Sequence, residues 1–185
     1  MASYWMVDSQ VNFCAWAIPT VTLDHPDAAA LAVLGGVLRN GYLHTAIREK
    51  GGAYGAGASQ DSSLGCFKFF TYRDPRTEGS FDDFAKSLGW VLNRTNGDDL
   101  IEQSVLGIIG SLDRPGSPAG EAKQAFHMDK SGRTQVVRQL FRDRLLKVSW
   151  ADVLQVTDKY LVGQDGHRAV VAPRGTAEIA SKLGL

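Results

Sequence analysis

Ala53-Tyr54-Gly55-Ala56-Gly57-Ala58-Ser59-Gln60, then Asp61-Ser62-Ser63-Leu64-Gly65, then Cys66-Phe67-Lys68-Phe69-Phe70-Thr71-Tyr72-Arg73 follow one another without interruption. The middle piece consists of turn formers and the flanking pieces have strand length, so the three read as a β-hairpin. The second strand carries aromatic residues at odd and even positions, so rings point to both faces of the sheet that it joins. Helices cover one face of a single sheet, and the other face has no obvious cover within 185 residues. A further domain or subunit is therefore expected against that face. The alternative is a bent central strand buried internally on both sides.

Upstream of the hairpin, Trp5, Val7, Ser9, Val11 and Phe13 alternate with Asp8, Gln10 and Asn12, the period of one half-buried strand, ended by Pro19. Asp24-His25-Pro26-Asp27 then starts a helix, with Ala30, Val33, Leu34, Val37 and Leu38 at helical spacing. Gly35-Gly36 inside it sacrifices helix propensity, which predicts another element in close contact. A short amphipathic piece, Leu43 to Lys50, leads into Gly51-Gly52.

Downstream of Asp74-Pro75 the pattern turns helical. Ser80 and Asp83 have capping-box spacing before the stripe Phe81, Phe84, Leu88 and Val91. Ile101, Val105, Ile108 and Leu112 define a second helix, and a loop with Pro115, Gly116 and Pro118 precedes a weaker one near Glu121 to His127. Val136, Val137, Leu140, Phe141 and Leu145 mark another, and Ser149 with Asp152 caps the next, with stripe Val153, Val156 and Tyr160. A strand His167 to Ala172 and a helix Thr176 to Leu183 close the chain. Strands and helices are segregated, so the expected fold is α+β: one domain over 1–185, with a mainly antiparallel sheet and helices packed on one face.

Composition excludes more than it names. Twenty Lys and Arg balance twenty Asp and Glu, for a net charge of zero, whereas nucleic acid and anionic membranes demand a positive excess. Neither is expected as a partner. The longest apolar stretch, Ala28 to Leu38, has 11 residues and is too short to span a bilayer. Cys14 and Cys66 are too far apart for a metal knuckle and read as free thiols in strands. With no signal peptide visible at the N-terminus, they favour a reducing compartment, and the expectation is cytoplasmic.

The glycine-dense run Gly51 to Gly57 fits neither a P-loop, which needs a Lys and a Ser or Thr after its last glycine, nor a dinucleotide loop, which opens a helix. The histidines His25, His44, His127 and His167 are scattered, without H-E-x-x-H or its inverse H-x-x-E-H. At α-helical spacing His44 meets Ile47 and Arg48, so no second metal ligand comes round, and no metal site is expected. No G-x-S-x-G surrounds a serine. Arg133, Arg138, Arg142, Arg144 and Lys147 read as a solvated helix face. What remains is Arg48 and Tyr54, on either side of the double glycine. Arginine offers a planar fork for a carboxylate or carbonyl, and tyrosine a hydroxyl donor for a carbonyl or developing oxyanion. A tight turn at positive φ through Gly51-Gly52 would bring both to one rim. The plainer reading is a core tyrosine beside a surface arginine.

The segments Tyr42-Leu43, Arg48-Glu49-Lys50-Gly51-Gly52-Ala53-Tyr54-Gly55, Gly65 to Phe69 and Tyr72-Arg73-Asp74-Pro75 resemble the C-terminal part of the presequence-protease branch of the pitrilysin/insulysin zinc metallopeptidases. The similarity continues through Ile108 to Asp113 and Arg138 to Lys147. The resemblance implies repeated α+β domains that close like a clamshell around an unstructured peptide, with an H-x-x-E-H zinc motif in the first domain. It implies that Arg48 and Tyr54 bind substrate from the last domain, near the scissile carbonyl. Zinc would then be held by another domain of the full-length enzyme. The partners are a peptide substrate and the remaining domains of the same polypeptide. This chain has no zinc motif, so by itself it is expected to hold no catalytic residue and to be inactive. A non-catalytic interaction or scaffold domain of the same fold is the alternative.

Overall fold

The computed structural model describes residues 2–130 and 132–174. Among them, β1 (Ala2–Val7), β2 (Phe13–Pro19), β3 (Gly55–Asp61), β4 (Cys66–Tyr72) and β5 (His167–Pro173) form one sheet in the order β1-β5-β2-β4-β3. Only β1 and β5 pair in parallel; every other neighbour is antiparallel. The helices are α1 (Ala28–Leu38), α2 (Glu78–Leu92), α3 (Asp98–Leu112), α4 (Pro118–Lys130), α5 (Gln135–Leu145) and α6 (Trp150–Tyr160). The fold is α+β with a mostly antiparallel sheet, as the segregated pattern predicts. The helix expected over Thr176 to Leu183 lies outside the described residues.

The expected hairpin forms, with Gly57 opposite Phe70 and Ala58 opposite Phe69; Asp61, expected in the turn, ends β3 opposite Cys66. Asp61 closes its turn: Oδ1 accepts from the backbone N–H groups of Ser63 and Leu64 at 3.0 and 3.2 Å, and Gly65 takes φ +64°. The strand expected to begin at Ala53 begins at Gly55 instead; Ala53 N–H is bound back to the Ile47 carbonyl of the preceding turn.

The single strand expected from Trp5 to Pro19 is two strands, and β5 lies between them. The break has a local cause. Ser9 Oγ donates to the carbonyl of Val11 and accepts from its N–H, at 2.9 and 3.1 Å, which folds the chain back on itself. Side-chain alternation survives such a break, so the hydrophobic pattern cannot reveal it.

Ser80 and Asp83 do not cap α2. Thr77 is the N-cap residue, without a side-chain cap bond, while Ser80 Oγ donates to Asp74 Oδ2 at 2.5 Å and Asp83 pairs with Arg76. Both side chains are spent on the segment before the helix. The predicted box at the start of α6 is present: Ser149 Oγ accepts from Asp152 N–H, and Asp152 Oδ2 accepts from Ser149 N–H at 2.8 Å.

One sheet face carries the core. Cys14, Trp16, Ile18, Phe67, Phe69, Val170 and Ala172 are buried there. They pack with Leu31, Leu34 and Leu38 of α1, Phe81, Phe84, Leu88 and Val91 of α2, and Val153 and Val156 of α6. Of the stripe on α5, Phe141 and Leu145 are buried, whereas Val136 and Leu140 stay exposed. On the opposite sheet face Trp5, Phe70 and Tyr72 are exposed by 54%, 44% and 49%. The rings of β4 thus divide: Phe67 and Phe69 enter the core, Phe70 and Tyr72 face outward. The described residues leave that outward face open, and the bent-strand alternative does not apply.

Gly35 and Gly36 serve the close approach that their helix position predicts. A Cβ on Gly35 would lie 2.9 Å from Ser59 Cα and 3.1 Å from the Ala58 carbonyl oxygen, both backbone of β3; one on Gly36 would meet Ser104 Oγ at 2.5 Å. Gly35→Ala improves helix propensity but must push α1 off the sheet. A net loss of about 1–3 kcal/mol is expected, read as a lowered midpoint in thermal unfolding; an unchanged or raised midpoint contradicts this packing.

The two thiols are free and differ in environment, Cys14 being buried and Cys66 half-buried. Burial pushes the Cys14 thiol from its ordinary 9.0 up to about 12, against an opposing hydrogen bond with Thr71. Its neutral form is favoured in the folded state, so the stability it contributes is present below pH 9 and is lost as pH rises from 9 toward 12. Alkylation at pH 8 followed by mass spectrometry is expected to modify Cys66 first and to reach Cys14 only on unfolding. Equal rates at both sites would contradict the burial.

Candidate functional site

α1 runs directly into a π-helical segment, Arg39–Glu49, whose terminal bond runs from Lys50 N–H to the Thr45 carbonyl at 3.0 Å, five residues back. Leu43 and Ile47 are fully buried and fix the segment against the core. On its exposed side the wider coil gathers residues four and five apart. His44 Nδ1 lies 3.3 Å from Glu49 Oε1, and Arg48 Nη1 lies 3.3 Å from His44 Nε2. A guanidinium has no acceptor, so the bonding pattern assigns His44 Nε2 as acceptor and puts its proton on Nδ1, toward Glu49. Arg48 is thereby held at the end of a Glu49–His44–Arg48 chain. Reading at α-helical spacing misses Glu49, because only the π-helix brings a residue five places on beside His44.

The double glycine ends this helix. Gly52, at φ +80°, donates its N–H to the Arg48 carbonyl, and Ala53 N–H donates to the Ile47 carbonyl, both at 3.1 Å. Backbone carbonyls at the helix end are satisfied in this way, and the left-handed residue reverses the chain. Tyr54 N–H then reaches the Arg73 carbonyl at 3.2 Å. Arg73 itself sits at φ 50°, an uncommon conformation for a residue with a side chain. The next residue, Asp74, is clamped to Asn12 by reciprocal backbone bonds of 2.7 and 2.8 Å. Its carboxylate accepts from Ser80 Oγ at 2.5 Å and from Arg76 N–H at 2.9 Å.

Tyr54 is 68% exposed, so the plainer reading of a core tyrosine does not hold. Its ring meets Tyr72 edge-to-face at 5.8 Å between centroids, and Tyr72 meets Phe13 at 5.5 Å. An aromatic row, Phe13–Tyr72–Tyr54, therefore crosses the open sheet face and ends at the turn. Arg48 and Tyr54 leave opposite ends of one hydrogen-bonded turn. They engage different neighbours, His44 for Arg48 and Tyr72 for Tyr54. An exposed guanidinium and an exposed phenol hydroxyl, beside an uncovered apolar surface, can bind the carbonyls or carboxylate of an extended peptide chain. His44, Glu49 and Tyr72 join the site as neighbours that residue type and spacing do not single out.

A resident metal does not fit these residues. Among the described residues, no group of three or more His, Cys, Asp and Glu side chains is placed to hold a metal ion. The His44–Glu49 pair supplies two donors at most, and His44 Nε2 is already engaged with Arg48. No helix among the described residues is long and apolar enough to cross a membrane.

Comparison with known proteins bears on the family and the fold. The family model described as the PreP C-terminal domain matches residues 5–174. The mitochondrial presequence protease of Saccharomyces cerevisiae is 38% identical over 165 residues, covering 89% of this chain and 16% of that protein. The chain thus spans about a sixth of the length of the curated relatives it matches. Among solved structures, a protease from Helicobacter pylori matches with a TM-score of 0.77 at 15% identity, covering 93% of this chain and 44% of that one. A peptidase M16 inactive domain from Pseudomonas fluorescens matches with a TM-score of 0.72 at 18% identity, covering 93% and 43%. At such identities the structural matches establish the fold alone. The curated relatives are named as mitochondrial proteins, which does not fit the plain cytoplasmic expectation. On the family model over 5–174 and on relatives more than 30% identical along most of its length, the chain belongs to the PreP C-terminal domain family, in the presequence-protease branch of the pitrilysin-type peptidases.

Proposed function

We propose that residues 1–185 form the substrate-binding C-terminal domain of a zinc metallo-endopeptidase that degrades unstructured peptides, with the zinc held by another domain of the same polypeptide. In this reading the chain alone, without the zinc-bearing domain, is inactive. Arg48 anchors a backbone carbonyl or carboxylate of the peptide, and Tyr54 donates its hydroxyl near the reacting carbonyl. The observation that carries the reading is the turn Gly51-Gly52, with an exposed arginine before it and an exposed tyrosine after it, the tyrosine ending the aromatic row of the uncovered sheet face. The remaining domains are the proposed cover or chamber wall opposite that face.

The test is kinetic and uses the whole peptidase. Arg48→Ala removes a charged hydrogen-bond donor worth about 1.5–3 kcal/mol, so KM for a quenched fluorescent peptide is expected to rise about 10-fold or more while zinc content stays unchanged. An unchanged KM removes Arg48 from the binding site.

A further inference from the structure

Gly51 poses a question that backbone conformation does not answer. Gly52 takes a positive φ, but Gly51 is not among the residues that do. Two neighbours leave no room for a side chain at Gly51, the guanidinium of Arg76 and the backbone carbonyl of Ile47. A Cβ there would lie 2.0 Å from Arg76 Nη2, 2.5 Å from Arg76 Cζ and 2.5 Å from the Ile47 carbonyl oxygen. The Arg76 guanidinium lies against the bare backbone of the turn that carries Arg48 and Tyr54.

Arg76 is held from the other side. Its Nη2 donates to Asp83 Oδ2 of α2 at 3.0 Å, and its backbone N–H donates to Asp74 Oδ1 at 2.9 Å. Gly79, in the first turn of α2, leaves room for Nη1, which a Cβ there would meet at 3.3 Å. Its Nε is buried without a hydrogen-bond partner among the described residues, a cost that an apolar filler would avoid. The Ser80–Asp83 spacing, which reads as a helix cap in sequence, is spent on this assembly: Ser80 holds Asp74 and Asp83 holds Arg76.

We infer that Arg76 is a positioning residue for peptide cleavage, a wedge between α2 and the Gly51-Gly52 turn that sets where Arg48 and Tyr54 point. The inference rests on the substrate-binding reading of those two residues. Arg76 acts through the turn, whose bonds to Ile47, Arg48 and Arg73 fix the backbone on both sides. A flat guanidinium fills the gap over Gly51, and shifting reacting groups by about 1 Å is enough to cost on the order of 10²-fold in rate.

The experiment is a double-mutant cycle in the whole peptidase, reading kcat and KM for a fluorogenic peptide, zinc content and the unfolding midpoint. Arg76→Ala is expected to lower kcat/KM about 10- to 100-fold with zinc unchanged. In a Tyr54→Phe background the same change is expected to cost less, because one of the two groups it positions is already disabled. Arg76→Lys keeps a charge for Asp83 but lacks the flat fork over Gly51. It is expected to hold the unfolding midpoint near that of the unaltered protein while kcat/KM still falls. If Arg76→Lys restores full turnover, or if the Arg76→Ala loss is undiminished in the Tyr54→Phe background, Arg76 acts through stability alone and the inference is overturned. If Arg48→Ala and Tyr54→Phe each leave turnover unchanged, it is the substrate-binding reading that fails.

Discussion

Tyr54→Phe in the whole peptidase is expected to lower kcat about 10²-fold, with KM changed far less and zinc content unchanged. The substitution removes one oxygen. The Tyr54 ring remains packed edge-to-face on Tyr72, and the backbone bond to Arg73 is untouched, so the turn keeps its shape. Only the hydroxyl proposed to face substrate is lost. A donor that acts on charge developing in the transition state lowers kcat when removed, whereas one that grips the ground state equally raises KM. The contrast with Arg48→Ala is thus informative, since the proposed function assigns anchoring to Arg48 and assistance at the carbonyl to Tyr54. An equal effect of both variants on KM alone would remove Tyr54 from the chemical step. Tyr54→Ala would be a poorer test, because it also strips the ring from the row formed with Tyr72 and Phe13.

Phe69→Ala is expected to destabilise the fold by about 3–5 kcal/mol, among the largest costs a single truncation produces here. Phe69 is fully buried. Its ring lies 5.4 Å from Trp16 in a stacked arrangement, 5.3 Å from Phe67 and 5.3 Å from Phe84. Those neighbours come from β2, β4 itself and α2, and aromatic walls cannot collapse into the space left behind. The adjacent Phe70→Ala is expected to cost no more than about 1 kcal/mol, although the removed group is identical. Phe70 lies on the outward face at 44% exposure, covering Gly57 of the edge strand. Denaturant titration of the two variants checks the pair. Comparable losses would mean that the outward face is as well packed as the core, which contradicts its exposure. In the whole protein a neighbouring domain seated on that face would raise the cost of Phe70→Ala and leave that of Phe69→Ala unchanged.

Much of the architecture is legible along the chain because it rests on local physics. The hairpin announces itself through turn formers between strand-length segments, and Phe81, Phe84, Leu88 and Val91 recur at helical spacing and are all buried. Gly35-Gly36 signals a close approach because glycine costs helix propensity, and here β3 and Ser104 of α3 occupy the space that side chains would need. The errors share a different cause. The split between β1 and β2 turns on the hydroxyl of Ser9, and the alternation of Trp5, Val7, Val11 and Phe13 is blind to it. Ser80 and Asp83 have cap spacing, yet a partner close in space claims each of them first. Spacing identifies a possible bond, and competition in three dimensions decides which one forms.

The candidate site divides along the same line. Residue type and order alone single out Arg48 and Tyr54 around a double glycine, exclude nucleotide loops and zinc motifs, and specify the α+β class, because those properties depend on side-chain chemistry and periodicity. Tertiary structure alone decides that Tyr54 is exposed rather than buried, that the π-helix joins Glu49 to His44 and so to Arg48, and that Gly51 is bare to admit Arg76. These features depend on helix pitch and on contacts between segments distant along the chain. Pitch changes which residues share a face, and packing assigns each polar group its partner; neither is written in the spacing of the residues themselves.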